Sequence, residues 1–274
     1  MKEDFQDWVG RRVTREDVVT PRLLAEFRAT LGPYLFDDGG STCPPGLHAC
    51  LAPAIPAMAD TGPDGAERKG LFLPPVPFPR RMWAGGMIET LQPLQMGASI
   101  VRVSTIGDIR FKRGATGELC LVSVHHEISG EHGLAVRERQ DLVFREASAG
   151  LGVKIGPEQP IIADWKVDAS PVLLFRFSAM TFNGHRIHFD FDHARAEGYP
   201  GLLVHGPMQA VLMLNLLAIR HRAVPRQFAY RCLAPLPSGH EFGVASDESG
   251  SVARILRHDG VVTAEGEASG DHAG

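Results

Sequence analysis

The chain twice places a helix-forming segment ahead of a run of short strand-forming segments, and this order constrains the fold more than any other feature. In the first half, Thr20 and Pro21 precede apolar residues at helical spacing, which predicts a capped amphipathic helix within residues 17–31. In the second half, an apolar segment at residues 207–219 predicts another helix. A helix must bury its apolar stripe against another layer. The expected class is therefore α+β, with two antiparallel sheets each wrapped around a central helix.

Short β-branched runs separated by glycine-containing turns predict the strands of both sheets. In the first half these runs span residues 100–103, 106–111, 119–124 and 134–143. In the second half an extended segment is expected at 172–178, and strands are expected at 228–233, 241–245, 252–256 and 261–267. Residues 36–79 are rich in glycine and proline and predict a long irregular excursion, with one candidate helix at 47–58 broken by Pro53 and Pro56.

A length of 274 residues favours two domains of ordinary size. The best boundary is the polar stretch at residues 146–160, which contains glycine and proline. We therefore predict an N-terminal domain at residues 1–150 and a C-terminal domain at residues 160–274. No repeat at a fixed sequence period links the two halves, so their similarity is architectural.

Composition and charge exclude several classes of function. The net charge of −4 and the dispersed basic residues argue against a nucleic-acid partner. No apolar run approaches the roughly 20 residues that span a bilayer, and the acidic N-terminus lacks a secretory pattern. The four cysteines are far apart, which fits reduced thiols better than disulfides or a zinc site. We expect a cytoplasmic protein that acts at no membrane.

The densest group of ionisable side chains lies at residues 175–192. His185 and His188 are three residues apart, and Asp190 and Asp192 alternate with phenylalanines. If this segment is extended, the two carboxylates share one face. Histidine is the side chain best suited to move protons near neutral pH, so His188 is the candidate base.

A second feature follows closely, because Gly206 and Pro207 stand at the start of the second predicted helix. The first backbone N–H groups of a helix have no partner within it, and they can hold a negative charge on a carbonyl oxygen. A base together with such donors suits proton transfer beside a thioester carbonyl. Other interpretations stay open for these residues: two histidines with a carboxylate can bind a metal, the aspartates can be solvated or capping groups, and Gly206 with Pro207 can simply begin a helix.

Three motifs of the second half resemble the MaoC-like hydratases, and within them the branch of 3-hydroxyacyl-thioester dehydratases and of itaconyl-CoA and mesaconyl-C4-CoA hydratases. These motifs are Phe177-Ser-Ala-Met-Thr-Phe-Asn-Gly-His-Arg-Ile-His188, Gly198-Tyr-Pro-Gly201 and Val204-His-Gly-Pro-Met-Gln-Ala210. The N-terminal half resembles the same branch through Trp8-Val-Gly-Arg11 and Pro79-Arg-Arg-Met-Trp-Ala-Gly-Gly86, which are less diagnostic. The resemblance implies a hot-dog fold twice in one chain. It implies that the N-terminal domain, residues 1–150, lies on the side that binds substrate and CoA, and that the C-terminal domain, residues 160–274, carries the active-site loop.

The wider family has a motif Asp-x-Asn-Pro-x-His in which the aspartate and histidine activate water. When its histidine is aligned with His188, Asn183 takes the place of the aspartate, His185 that of the asparagine and Arg186 that of the proline. An amide can orient water but cannot accept a proton. We therefore expect His188 to transfer the proton, Asn183 to orient water and the Gly206 amide to stabilise the carbonyl oxygen, with Asp190 as a fallback for charge support of His188.

The resemblance implies reversible hydration of an α,β-unsaturated acyl-CoA, with itaconyl-CoA or mesaconyl-C4-CoA giving citramalyl-CoA. One alternative is a 3-hydroxyacyl-thioester dehydratase of fatty-acid metabolism, and another is a hot-dog protein that binds an acyl thioester without turnover. No metal, nucleotide or redox cofactor is expected, and a homodimer is compatible with the fold. Candidate substrate-binding residues, including arginines for a free carboxylate, are Arg80, Arg81, Arg176, His185, Arg186 and His205.

Overall fold

The computed structural model describes residues 5–114, 117–146 and 153–272. Five strands precede residue 146: β1 (Arg12–Val18), β2 (Arg80–Thr90), β3 (Ser99–Gly114), β4 (Gly117–Gly130) and β5 (Gly133–Arg145). Five more follow residue 160: β6 (Trp165–Asp168), β7 (Pro225–Cys232), β8 (Glu241–Ser246), β9 (Val252–Leu256) and β10 (Val262–His272). The helices are α1 (Pro21–Leu31), α2 (Pro171–Met180), α3 (Phe191–Ala196) and α4 (Gly206–His221).

The ten strands form one antiparallel sheet whose two halves meet edge to edge. Its order is β1-β3-β4-β5-β2-β7-β10-β9-β8-β6, so all strands of the first half precede all strands of the second. The halves join where β2 pairs with β7, with Gly86 opposite Tyr230 and Ile88 opposite Phe228. This is the double hot-dog, α+β architecture that the sequence predicts. The pairing of β2 with β7 places the N-terminal half beside the elements that carry His188.

Each half contributes a helix to the core. α4 packs against β7, β8, β9 and β10 and also contacts β2. Its residues from Met208 to Ala218 are all buried, which is typical of a helix enclosed on every side. α1 begins as predicted, with Thr20 accepting a hydrogen bond from the Leu23 amide. It packs against α2 and buries Leu24, Phe27 and Leu31 in a core to which both halves contribute.

The first-half elements depart from the sequence prediction at several points. The helix starts at Pro21, because Asp17 and Val18 belong to strand β1. Residues 47–58 form only a 3-10 turn at Leu47–Cys50, since the prolines that follow remove backbone donors. The two short runs at 100–103 and 106–111 are one strand, β3, with a bulge between Ile106 and Asp108. Strand β2, rich in small residues and bulged near Gly85, was not predicted.

In the second half, the predicted extended segment at 172–178 is wrong, because these residues lie in helix α2. Ser170 caps the helix, Pro171 follows at the first turn, and Leu174, Phe177 and Ser178 are buried at the i, i+3, i+4 spacing of a helix. Strand β6, only four residues long, was also not predicted. Residues 147–152 of the predicted domain boundary lie outside the described residues.

Of the helices in the described ranges, none has the length and apolar character that crossing a bilayer requires. The four cysteines of the chain are all free thiols, and three of them are buried.

Candidate active site

His188 ends a single 3-10 turn, Arg186–His188, that connects α2 to α3. The side chain is buried, with 7% of the residue exposed, and its Nδ1 lies 2.8 Å from the carbonyl oxygen of Leu203. A carbonyl oxygen can only accept a hydrogen bond, so Nδ1 carries the proton and donates it. In the neutral ring this leaves a lone pair on Nε2, and Nε2 is the atom that can act as a base.

The surroundings of His188 keep the ring neutral. Burial lowers its pKa to about 4, against the smaller opposing effect of the hydrogen bond to Leu203. At neutral pH nearly every molecule therefore has an unprotonated Nε2. The structure supplies the ionisation state that a general base needs before the reaction starts.

His205 forms the wall against which His188 rests. The two rings stack with centroids 3.6 Å apart, and His205 is fully buried. Its Nε2 lies 2.8 Å from Oγ of Ser178 on α2. Burial, followed by the neighbouring His188, holds the pKa of His205 well below the usual value. These contacts are those of a residue that orients His188. Ser178 was missed from the sequence, because its burial is apparent only once α2 is recognised as a helix.

Gly206 is the first residue of α4 and directly follows His205. Within the described part of the chain its amide has no hydrogen-bond acceptor, as expected for the first turn of a helix. A Cβ at this position would lie only 2.9 Å from the Trp83 ring of β2. Trp83 is itself held by Tyr230, since its Nε1 donates to the tyrosine hydroxyl at 3.0 Å. The N-terminal half thus packs directly against the free amide.

Asn183 and His185 lie in the loop that leads into the His188 turn. The Asn183 Oδ1 accepts a hydrogen bond from the His185 amide at 3.0 Å, so this oxygen holds the loop in shape. The His185 ring meets the His188 ring edge to face, with centroids 5.6 Å apart, and 7% of the residue is exposed. The role of Asn183 in orienting water stays a prediction.

The predicted alternation of Asp190 and Asp192 on one extended face is wrong, because both residues belong to the start of α3. Asp190 is the N-cap, with Oδ1 accepting from the His193 amide at 3.0 Å, and Asp192 lies in the first turn. The hydrogen bonds from His193 and then from Arg186 lower the pKa of Asp190. In the ranges that the structure describes, no three histidine, cysteine, aspartate or glutamate side chains are grouped to hold a metal ion.

Two of the four candidate arginines are engaged away from the histidines. Arg186 binds Asp190 Oδ2 through Nε at 3.0 Å and through Nη2 at 2.7 Å, and its Nη1 donates to the Pro63 carbonyl. Arg176 is exposed on α2 and donates to the Ala29 carbonyl of α1. Its position in a strand leading to the loop is a further prediction that the helix overturns. Residues two apart on a helix do not share a face, so Arg176 points away from Ser178.

The other two arginines bring the N-terminal half to the active-site loops. Arg80 pairs with Glu197 at 3.6 Å and lies over the Tyr199 ring at 5.1 Å. Arg81 is largely buried, and its charge contributes to lowering the pKa of His185, after burial itself and after His188. The structure therefore brings Arg81, and not Arg176, next to the histidine cluster.

Comparison with known proteins shows the family and the fold of the chain. Residues 46–238 match the family model of hydroxyacyl-thioester dehydratase type 2. The chain is 39% identical over 240 residues to a mesaconyl-C(4)-CoA hydratase of Chloroflexus aurantiacus, covering 85% of each protein. Among solved structures, HtdX of Mycobacterium tuberculosis has a TM-score of 0.69 at 17% identity, covering 95% of this chain and 100% of HtdX.

A second Mycobacterium tuberculosis structure, described as a double hot-dog fold, has a TM-score of 0.53 at 14% identity and covers 95% of this chain and 96% of its own. At such identities the structural likeness establishes the fold. The fold and the family match together define a double hot-dog hydro-lyase acting on acyl thioesters. The chain belongs to the MaoC-like hydratase family.

Proposed function

We propose that the protein catalyses the reversible addition of water across the double bond of an α,β-unsaturated acyl-CoA. The observation that carries this proposal is the pairing of a buried, neutral His188 with His205, the residue immediately before the free amide of Gly206. The His188 ring therefore lies beside the N-terminus of α4. Hydration next to a thioester carbonyl needs such a base and such a donor.

In the hydration direction, Nε2 of His188 accepts a proton from water as the water oxygen bonds to the β-carbon of the substrate. The electrons of the double bond move onto the thioester carbonyl, and the Gly206 N–H holds the resulting enolate oxygen. His188 then returns the proton to the α-carbon, so the net change is one water molecule added. Asn183 would orient that water from the loop before His188. Reversal of the same steps gives dehydration.

For the substrate we propose mesaconyl-C4-CoA or itaconyl-CoA, either of which gives citramalyl-CoA on hydration. The enolate steps above apply to mesaconyl-C4-CoA, whose double bond is conjugated with the thioester. In itaconyl-CoA the water oxygen bonds to the same β-carbon, but the proton goes to the terminal methylene carbon. The support is the 39% identity to a mesaconyl-C(4)-CoA hydratase over most of both chains. The match to the hydroxyacyl-thioester dehydratase model favours a second candidate, a 3-hydroxyacyl-thioester dehydratase of fatty-acid metabolism. A protein that binds acyl thioesters without turnover is the third outcome that an assay can reveal.

A panel of thioesters tests these candidates directly. We expect kcat/KM for itaconyl-CoA or mesaconyl-C4-CoA to exceed that for crotonyl-CoA by about ten- to a hundredfold, the worth of one charge-assisted pair. If kcat/KM for crotonyl-CoA equals or exceeds the values for both of these substrates, the dehydratase of fatty-acid metabolism becomes the favoured candidate. Absence of hydration with every thioester, combined with measurable binding, would instead identify a non-catalytic protein.

We also propose that the reaction proceeds without a metal or redox cofactor, in the cytoplasm, and with no nucleic-acid or membrane partner. The four free thiols support a reducing compartment. The sheet leaves β1 and β6 as edge strands, and pairing through one of them would give a homodimer. Sedimentation or light scattering measures that assembly.

A further inference from the structure

Arg81 has buried hydrogen-bonding capacity that the protein does not use. Its Nη2 donates to the Glu67 carbonyl at 2.9 Å, but in the part of the chain that the structure describes, its buried Nε has no hydrogen-bond acceptor. The side chain is 14% exposed. A guanidinium N–H removed from water and left without an acceptor costs free energy. The arrangement therefore favours binding of an acceptor at Nε.

His185 has a second nitrogen in the same condition. Its Nε2 is buried and makes no hydrogen bond within the described residues. Burial first, then the charges of His188 and Arg81, keep the pKa of this ring well below the usual value, so the ring is neutral. In the tautomer protonated at Nε2 it donates one hydrogen bond. Because the His185 and His188 ring centroids are 5.6 Å apart, this donor lies beside the proposed base.

A hairpin at residues 61–67, closed by the pairing of Thr61 with Glu67, connects Arg81 with the loop that carries His185. It packs backbone to backbone on the active-site loop, since a Cβ on Gly65 would lie 2.1 Å from the Gly184 carbonyl oxygen. The Asp64 carbonyl accepts from the Arg186 amide at 2.8 Å, next to His185.

The same hairpin presents a carboxylate to Arg81. Asp64 Oδ2 is 3.5 Å from Arg81 Nε, an ion pair without a hydrogen bond. Lys69 and Glu67 add one charge of each sign to the surroundings of Arg81. The two positive and two negative charges here therefore cancel, although Asp64 makes no hydrogen bond with Arg81 Nε. A substrate carboxylate that accepts such a bond could replace Asp64 as the partner of Arg81.

Arg102, another buried arginine of the N-terminal half, lacks this capacity. Arg102 donates through Nη1 to the Leu51 carbonyl at 3.1 Å and through Nε to Nδ1 of His126 at 3.3 Å. Its Nη2 lies 3.9 Å from Glu138. Arg80, Arg176 and Arg186 are engaged as described above. Arg81, and not Arg80, is the arginine whose charge acts on His185, and its Nε has no hydrogen-bond acceptor among the described residues.

We infer that Arg81 and His185 form the subsite for a free carboxylate on the acyl part of the substrate, and that Asp64 is the counter-ion of Arg81 when no substrate is bound. The inference rests on the proposed hydration of a dicarboxylate-derived thioester. According to this inference, Arg81 of the N-terminal half selects between charged and uncharged acyl groups, whereas the proposed base, His188, lies in the C-terminal half.

Binding of saturated thioesters tests the subsite without requiring turnover. Succinyl-CoA carries the distal carboxylate and butyryl-CoA does not, and neither contains a double bond to hydrate. We expect the wild-type protein to bind succinyl-CoA about ten- to a hundredfold more tightly in calorimetry. In Arg81→Met this ratio of dissociation constants should fall to nearly one. Arg176→Met, which removes an exposed arginine, is the matched control and should keep the ratio.

Asp64→Asn should change the preference for succinyl-CoA in the opposite direction to Arg81→Met. It removes the competing negative charge while its Oδ1 can still accept from the Ala66 amide, as Asp64 does at 3.2 Å. The preference for succinyl-CoA should therefore rise above the wild-type ratio. If Arg81 and Asp64 only supported the fold, the two substitutions would not shift the preference in opposite directions. Both would instead weaken the binding of both thioesters.

The inference is overturned if folded Arg81→Met, judged by circular dichroism and melting temperature, keeps the wild-type ratio, or if Asp64→Asn lowers it. Should Arg81→Met fail to fold, Arg81→Lys retains the charge but lacks Nε and its fork geometry, and a ratio unchanged in that variant also overturns the inference. Failure of the hydration assay alone would refute the proposed function while leaving the binding ratios as an independent result.

Discussion

The rings of His188 and His205 stack with their centroids 3.6 Å apart and their planes 19° from parallel. Two protonated imidazoles at this distance would repel, and burial makes either charge costly. The stack is therefore stable when both rings are neutral. One fixed nitrogen on each ring, Nδ1 of His188 on the Leu203 carbonyl and Nε2 of His205 on Ser178, sets the orientation of the pair.

Replacing the proposed base should abolish most turnover while leaving the fold intact. In His188→Asn the amide can still donate to the Leu203 carbonyl, but the variant has no equivalent of Nε2. We expect kcat to fall by at least about two orders of magnitude, as is typical for loss of a general base. Steady-state kinetics on the best thioester measures this, with the melting temperature as the folding control. Near-wild-type kcat would show that another group moves the proton.

The activity should be insensitive to pH across the range where an ordinary histidine titrates. Because the pKa of His188 is lowered to about 4, its base form predominates from about pH 8 down to about pH 6. A histidine with the usual pKa would be only about one quarter unprotonated at pH 6. We therefore expect kcat/KM to stay level between these limits. A decline centred near pH 6.5 would contradict the assigned environment of His188.

A methyl group at Gly206 should disturb the proposed oxyanion donor. Because its Cβ would lie 2.9 Å from Trp83, Gly206→Ala must displace the indole or the start of α4. Loss of one such donor costs roughly a hundred- to a thousandfold in kcat, so a drop approaching this size is expected. The double variant Gly206→Ala, Trp83→Leu provides space for the methyl group and should recover part of the activity. Full activity in the single variant would place the donor elsewhere.

Folding stability should fall in mild acid because several histidines are buried in their neutral form. Burial lowers the pKa of six of them: His48, His126, His185, His188, His205 and His258. The unfolded chain binds more protons below about pH 6.5, so the free energy of unfolding rises with pH up to that point and is then level. Each histidine contributes a slope of up to about 1.4 kcal/mol per pH unit.

Urea unfolding between about pH 5 and about pH 7.5 measures this dependence. His126→Asn should reduce the slope of the free energy of unfolding against pH by the contribution of one histidine. A free energy of unfolding that stays constant over this pH interval would contradict the burial of these histidines in their neutral form.

Activity should survive exhaustive chelation. In the structure the carboxylate of Asp190 is occupied by Arg186 and by the cap of α3, and the two nearby histidines meet edge to face. We therefore expect an unchanged rate after prolonged dialysis against a strong chelator. A loss that a divalent ion restores would assign His185 and His188 to a metal site.

The sequence by itself determined the architecture and the choice of His188 as the proposed base. Residues 207–219 are apolar apart from Gln209 and Asn215, and a helix this apolar must be enclosed by other elements, so the second core could be predicted. The start of α1 could be predicted equally well, because Thr20 accepts a local hydrogen bond and Pro21 has the backbone angle of a first helical residue. His188 and Gly206 were identified from local spacing and from the resemblance, not from any long-range contact.

Only the tertiary structure decided the contacts between distant segments. The burial that lowers the pKa of His188, the stacking on His205 and the hydrogen bond from Ser178 require α2 and α4 to meet. Likewise, Arg81 reaches His185 because β2 pairs with β7 and brings the first half of the sheet to the loops of the second. Local propensity specifies which element a segment forms, whereas the surroundings of a side chain depend on which elements pack around it.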